Sequence, residues 1–105
     1  MATFDDFRKL EFKVGKVLNA ERVEGSDKLL KIEADTGEKR TLVAGIGKVY
    51  NPEELKNKLV IVLTNLEPKK IMGTESQGML LVAWKGEEIS LLAPDRQVEP
   101  GMEVG

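Results

Sequence analysis

The chain has 105 residues, of which 41% are hydrophobic and 32% are charged, and its formal net charge is −2 at pH 7. This length and composition predict one folded domain, residues 1–105, with no room for a second. The sequence contains neither cysteine nor histidine. Disulfides and thiolate metal sites are thereby excluded, and the commonest general base and zinc ligand is missing.

The sequence predicts a cytoplasmic protein without membrane association. Its longest apolar runs, such as residues 59–63, are far shorter than the roughly 20 residues that a membrane-spanning helix needs. The first residues lack the basic flank and the apolar centre of a signal peptide. We therefore expect a soluble protein of the cytoplasm.

The charge is distributed unevenly along the chain. Residues 28–70 carry 9 basic and 6 acidic side chains, whereas residues 71–105 carry 2 basic and 6 acidic ones. A cationic middle section on a mildly acidic protein favours an anionic partner. A solvated surface with uneven charge explains the same count.

The predicted elements begin with a short amino-terminal helix. Thr3 can cap it, with Asp6 three positions later as the reciprocal acid of a capping box. Phe4, Phe7 and Leu10 then fall on one side at helical spacing. Because so short a helix is not stable alone, we expect its apolar side to dock on another surface.

A long strand and a hairpin follow. The strand covers residues 12–24, and its alternation slips at Gly15, which predicts a bulge or a sharp bend there. A strand bent in this way can serve two sides of a closed barrel. Residues 30–35 and 40–44 alternate as two half-buried strands joined by a tight loop.

A short helix is predicted to start after residue 50. Asn51 is a good N-cap, and Pro52 suits the first helical position. Glu53 and Glu54 complement the positive end of the helix dipole. The helix must be short, because a strand follows closely at residues 59–63.

The last third predicts a long loop, residues 65–79, and a final hairpin from residues 80–84 and 89–92. Five main strands, with a short helix between the third and the fourth, predict an all-β OB-fold barrel. The amino-terminal helix and a carboxyl-terminal extension are added to it. Another small β-barrel or an α+β sandwich stays open, because strand order cannot be read from one sequence.

The sequence offers little for catalysis. Acidic pairs such as Glu53 and Glu54 are adjacent residues, whose side chains point apart. Residues 73–78 have the two glycines of a phosphate loop, but they lack its lysine and precede a strand. No EF-hand spacing occurs. We predict a binding domain with no catalytic residues, no metal site and no cofactor.

The long loop carries most of the binding chemistry. Lys69 and Lys70 follow Pro68, where the backbone is extended, and such a pair can meet successive phosphates. Residues 75–79 then offer neutral donors and acceptors and a thioether, which suit phosphate and exposed base or sugar. A solvated loop with Met79 buried in the barrel is the structural alternative.

Basic side chains also occur on the second and third strands. Lys31 alternates away from its apolar neighbours, so it should lie on the outer face. Arg40 has the same parity as Leu42, which directs it inward unless the end of the strand is splayed. With Lys28 they form either a phosphate-binding set or a solvated sheet face.

Five segments resemble the tRNA-binding OB-fold domain. They are residues 12–17, 26–30, 42–46, 65–73 and 75–81. The last two together are specific to that family, whereas the first is not. The domain is appended to the carboxyl end of many methionyl-tRNA synthetases. It also occurs as free-standing tRNA-binding proteins and as the endothelial-monocyte-activating-polypeptide module. The resemblance runs from about Phe4 to the end of the chain.

The resemblance implies sequence-independent tRNA binding that raises the tRNA affinity of a synthetase. The RNA-binding residues it implies are Lys28, Lys31, Arg40, Asn65, Lys69, Lys70, Ser76, Gln77, Gly78 and Met79. It also implies a homodimer, whose interface would be formed by Phe4, Phe7, Leu10, Val98, Met102 and Val104. The expected partners are tRNA, a second copy of the chain and, where the domain belongs to a synthetase, its catalytic domain.

The sequence departs from the family at one place and leaves an alternative open. Many relatives have a histidine–proline pair where this chain has Val23 and Glu24. Any binding role of that histidine is lost, and Glu24 can repel phosphate. The alternative is a dimeric chaperone for unfolded or export-destined proteins, since a secretion-associated chaperone resembles a divergent member of the family. The cationic middle section and the complete loop motif favour tRNA.

Overall fold

The computed structural model describes all 105 residues as a mostly β protein with two short helices. The elements are α1 (Phe4–Arg8), β1 (Phe12–Arg22), β2 (Leu30–Asp35), β3 (Lys39–Ala44), α2 (Pro52–Leu55), β4 (Leu59–Leu63), β5 (Lys69–Ile71), β6 (Thr74–Ser76), β7 (Met79–Leu80), β8 (Val82–Lys85), β9 (Glu88–Leu91) and β10 (Glu103–Val104). Neither helix has the length or apolar character needed to span a bilayer.

The main sheet is a nearly closed barrel of five strands in the order β3-β2-β1-β4-β7. The long strand β1 pairs antiparallel with β4 through residues 12–16 and with β2 through residues 16–22, so it serves both halves of the barrel. The amide of Gln77 donates to the carbonyl of Thr41 at 2.8 Å, which brings the free edge of β3 against the residues before β7. With α2 between β3 and β4, the predicted OB-type barrel is confirmed.

The irregularity in the register of β1 lies at Leu18, so the predicted bulge at Gly15 is wrong, since the pairing with β4 is continuous through that residue. The register with β2 shifts between Val17 and Asn19. Val17 and Ala20 both contact the core although they are three residues apart, so one extra residue must be accommodated between them. Gly15 has a different role, since a Cβ there would lie 3.2 Å from the methyl groups of two interior side chains.

The core is apolar and follows the predicted alternation. Along β2, Leu30, Ile32 and Ala34 are fully buried, whereas the intervening residues are half-buried. Leu55 of α2 is also fully buried in the same cluster. The short helix therefore packs on the barrel, and most of the chain's hydrophobic stabilisation comes from this cluster.

The predicted loop at residues 65–79 contains a second small hairpin, β5–β6, which the sequence did not indicate. Lys69 pairs with Ser76 and Ile71 with Thr74. Between the strands, Met72 and Gly73 have φ values of 47° and 83°, as a tight two-residue hairpin turn requires. Strands of three residues are too short to show an apolar alternation, so the pattern was missed.

The two chain ends lie beside each other. The capping box of α1 is confirmed, with the amide of Asp6 donating to Thr3 Oγ1 at 3.2 Å. No residue of α1 is buried. In β10, Val104 pairs with Phe12 at the start of β1, so the tail lies against the barrel next to the helix.

Candidate nucleic-acid interface

Arg40 lies inward at the base of the β5–β6 hairpin, and its side chain is 15% exposed. Nη1 donates to the carbonyl of Thr64 at 3.1 Å and to that of Gln77 at 2.8 Å. Nε donates to Thr36 Oγ1 at 2.9 Å, and Nη2 pairs with Glu38 at 2.8 Å. The guanidinium therefore links both ends of the hairpin segment to β3. Arg40 points inward, as its shared parity with Leu42 indicates.

Ser76 and Gln77, which the resemblance implies as RNA contacts, bond to β3 in the structure. Ser76 is 5% exposed, and its Oγ accepts from the amide of Val43 at 3.0 Å and donates to the carbonyl of Gly78 at 3.1 Å. Gln77 Oε1 accepts from the amide of Thr41 at 2.9 Å. These side chains supply partners to the edge of β3, which would otherwise be left unpaired.

Gly78 allows the chain to pass close to β4. Its φ is 150°, and a Cβ at this position would lie 2.8 Å from the carbonyl oxygen of Leu63. A contact this short with backbone cannot be relieved by moving a side chain, so the position requires glycine. Gly78 shapes the site by setting the path from the hairpin into β7.

Lys69 and Lys70 are exposed, and neither forms a salt bridge. Successive residues of a strand point to opposite faces, so the two lysines do not point the same way. Lys69 lies opposite Ser76 in the hairpin, on the side of β3, whereas Lys70 lies opposite Glu75. Lys69 is thus one of the exposed cations that form no salt bridge.

Met79 separates two neighbouring depressions on the outer surface of the barrel. The first, here called the lysine cleft, is about 520 Å³ and is lined by Val43, Leu66, Lys69, Ile71, Ser76 and Met79 among others. The second, the Trp84 groove, is about 330 Å³ and is lined by Val43, Ile46, Met79, Leu80, Val82 and Trp84 among others. Met79 is 55% exposed, so the alternative in which it is buried in the barrel does not hold.

Lys31 belongs to the same surface, whereas Lys28 is separate from both depressions. Lys31 lies directly opposite Val43 in the β2–β3 register, and its Nζ is 3.9 Å from Glu21 Oε1. Lys28 is exposed in the turn before β2 and lines neither depression. The structure therefore gathers Lys31, Lys69, Ser76, Gly78 and Met79 around Val43.

Asn65 contacts the amino-terminal segment. Its Oδ1 accepts from the amide of Glu11 at 2.8 Å, and its Nδ2 donates to the carbonyl of Lys9 at 2.7 Å. These two bonds hold the connection between α1 and β1 against the end of β4. Asn65 thus lies apart from the residues around Val43.

Trp84 is the main surface residue that the sequence analysis passed over. Its side chain is 73% exposed in β8, and the only aromatic pair in the structure is that of Phe7 with Phe12. The sequence signal was present, since this single tryptophan stands next to Lys85 and a turn, where an apolar core residue is not expected.

Several of the residues that the resemblance implies as a dimer interface lie together at the chain ends, where Phe7 stacks on Phe12 and Val104 pairs with Phe12. Phe4 is 84% exposed and Met102 50%, while Val98 and Val104 are half-buried against the barrel. A shallow depression there is lined by Phe4, Phe7 and Gly105 among others. We call this surface the terminal patch.

The structure thus combines a small OB-type barrel with an exposed lysine-bearing hairpin beside two surface depressions, an arrangement found in binding domains. Residues 12–103 match the model of the family described as "Putative tRNA binding domain". The chain belongs to this family. It is a binding domain and not a catalytic domain.

Known proteins similar to this chain include a synthetase, a synthetase-related protein and a chaperone. A methionine–tRNA ligase of Methanothrix thermoacetophila is 55% identical over 98 residues, which are 93% of this chain and 15% of the ligase. The crystal structure of a MetRS-related protein from Pyrococcus horikoshii has a TM-score of 0.94 and 40% identity, covering 100% of this chain and 98% of that one.

The chaperone is CsaA of Bacillus anthracis, whose crystal structure has a TM-score of 0.92 at 29% identity and covers 100% and 99% of the two chains. The present chain thus spans about the whole of two solved proteins. By contrast, it spans only 14–16% of the length of the ligases that it matches.

Proposed function

We propose that this domain binds tRNA without reading its sequence and raises the tRNA affinity of a methionyl-tRNA synthetase, either as part of that enzyme or beside it. The observation that carries the proposal is Lys69, an exposed cation that forms no salt bridge and lines the lysine cleft, which Glu67 also lines. Phosphate is the ligand that such a lysine attracts most strongly. The family and the similar ligases support tRNA as the source of that phosphate.

The proposed contact surface is the β5–β6 hairpin with Met79 and Lys31. Arg40, Ser76, Gln77 and Gly78 hold the hairpin in place, and Gln77 retains a side-chain NH₂ that donates to no protein group. Lys70 and the more distant Lys28 add long-range attraction. Backbone contacts of this kind recognise the shape of folded RNA and not its sequence.

A competition titration tests this function. Fluorescently labelled tRNA should bind and should be displaced by unlabelled tRNA more readily than by heparin at equal charge concentration. The reason is that positioned contacts to a folded backbone add to simple charge attraction. Equal displacement by heparin would reduce the interaction to non-specific attraction and would contradict the proposal.

The chaperone similarity supports a second candidate, capture of unfolded polypeptide on the exposed apolar surfaces. This function predicts binding to a reduced, unfolded test protein with little response to salt, because apolar contacts are not screened. Binding of the labelled unfolded protein that unlabelled tRNA does not displace, together with no binding of labelled tRNA, would favour the chaperone function.

We further propose a homodimer assembled through the terminal patch. A five-residue helix with no buried side chain gains stability only when its apolar face is covered. Phe4→Glu combined with Phe7→Glu should convert a dimer into a monomer of 11.6 kDa in light scattering. Leu18→Glu, also at an exposed apolar residue, is the matched control and should remain dimeric. A monomeric wild-type chain would overturn the dimer.

A further inference from the structure

We propose that the Trp84 groove takes an unstacked nucleobase of the bound RNA, with the indole of Trp84 as its stacking partner. The inference rests on the proposed tRNA binding and specifies it. It assigns to the domain a nucleotide subsite, in which the base enters the groove and the neighbouring phosphate meets Lys69 in the lysine cleft.

The indole of Trp84 is exposed and unstacked. Trp84 exposes 73% of its surface, and its ring stacks on no other aromatic ring of the chain. The fold thus leaves this large apolar ring of strand β8 mostly exposed to water. A planar π-system that covers it would remove apolar surface from water and add stacking, which is worth about 1–3 kcal/mol per base.

The shape and the lining of the Trp84 groove suit a flat ligand. Ile46, Leu80 and Val82 form apolar walls, and Met79 stands half-exposed at one side. Added Cβ atoms at Gly45 and Gly86 would meet nothing within 4 Å, so these two lining residues border open space. An open apolar groove beside an exposed aromatic ring fits a flat group better than a bulky one.

The charged residues beside the Trp84 groove also bear on which ligand it binds. The Trp84 groove and the lysine cleft share Val43 and Met79, so they are adjacent. Lys69 on the far side of Met79 has no acidic partner, whereas Lys85 next to Trp84 lies opposite Glu88 in the β8–β9 hairpin. Lys69 and Glu67 both line the lysine cleft, and Lys69 is the one of the two that can meet an anion. A nucleotide, with a flat aromatic base and an anionic phosphate, fits the groove and Lys69 together, whereas an apolar peptide fits only the groove.

The single tryptophan makes the test direct, because all tryptophan emission comes from Trp84. Bulk tRNA and a short oligoadenylate should quench this emission through stacking. An abasic phosphodiester of the same length, which has the charge but no bases, should leave it unchanged. Binding of labelled tRNA is followed in parallel by anisotropy.

Substitutions separate stacking from simple apolar contact. Trp84→Phe keeps an aromatic face and should retain most of the affinity for labelled tRNA, whereas Trp84→Leu should lose about tenfold. Leu18→Ala, at an exposed apolar residue that lines neither depression, is the control and should bind as the wild type does. Because Trp84 is mostly exposed, the urea midpoints of the variants should match.

The outcomes are distinguishable. Binding of tRNA without a change in Trp84 emission would overturn the nucleobase subsite and leave the tRNA function standing. Equal losses in Trp84→Phe and Trp84→Leu would also overturn it, as would quenching by unfolded protein but not by oligoadenylate. If labelled tRNA does not bind at all, the proposed function itself fails, and this inference fails with it.

Discussion

Arg40→Met should lower the free energy of unfolding by about 3 kcal/mol, because it leaves the carbonyls of buried Thr64 and half-buried Gln77 without this donor. Methionine keeps much of the apolar stem, so the loss reports the hydrogen bonds more than the packing. Urea denaturation of the purified variant measures the effect. The hairpin segment should also lose protection from hydrogen exchange before the rest of the barrel does.

Two comparisons make the Arg40 result specific. Arg96→Met, at an exposed arginine in the tail, removes the same charge and should change the unfolding free energy by less than about 0.5 kcal/mol. Arg40→Lys should recover little stability, since an ammonium group cannot reproduce the fork of the guanidinium. A fully stable Arg40→Met that binds tRNA weakly would contradict this role and identify Arg40 as a phosphate ligand.

Lys69→Gln should weaken tRNA binding about tenfold at low salt and reduce the slope of log K against log salt concentration by about 1, as expected for one lost phosphate contact. Stability should be unchanged, because Lys69 is exposed and bonds to no protein group. A series of binding titrations over several salt concentrations measures both quantities.

The neighbouring lysine provides the matched control. Lys70→Gln removes the same charge from the other face of the hairpin, opposite Glu75, and should have a smaller effect on affinity and slope. The double variant Lys69→Gln, Lys70→Gln should reduce the slope of log K against log salt concentration by at most about 2, as expected for two lost phosphate contacts. Equal effects at both positions would mean that only net charge matters, and unchanged slopes at both would reject the hairpin as a phosphate-binding element.

The sequence predicted the barrel well because its strands carry strong local signals. The alternation at residues 30–35, the capping box at Thr3 and Pro52 at the start of α2 each indicated the local conformation correctly. The bulge was misplaced, because Gly15 interrupts the pattern as visibly as Leu18 does. Which of the two residues is unpaired depends on the partner strand and not on local sequence.

The sequence predicted which residues lie in the candidate site better than it predicted which groups they contact. The resemblance indicated Ser76 and Gln77, but their side chains are bonded to the amides of β3, and a single sequence does not show which edge strand lacks partners. Asn65 was one of the RNA-binding residues that the resemblance implied. Its bonds to Lys9 and Glu11 join segments more than 50 residues apart, which spacing cannot reveal.

The methyl groups of the four methionines give the most direct test of where tRNA binds. Met79 lies between the two depressions and Met72 at the turn of the hairpin, whereas Met102 lies on the terminal patch. With methyl-labelled protein, added tRNA should shift the Met79 signal most and the Met72 signal next, and it should leave Met102 unmoved. A large shift at Met102 with Met79 unchanged would place the RNA on the terminal patch and contradict the proposed binding surface.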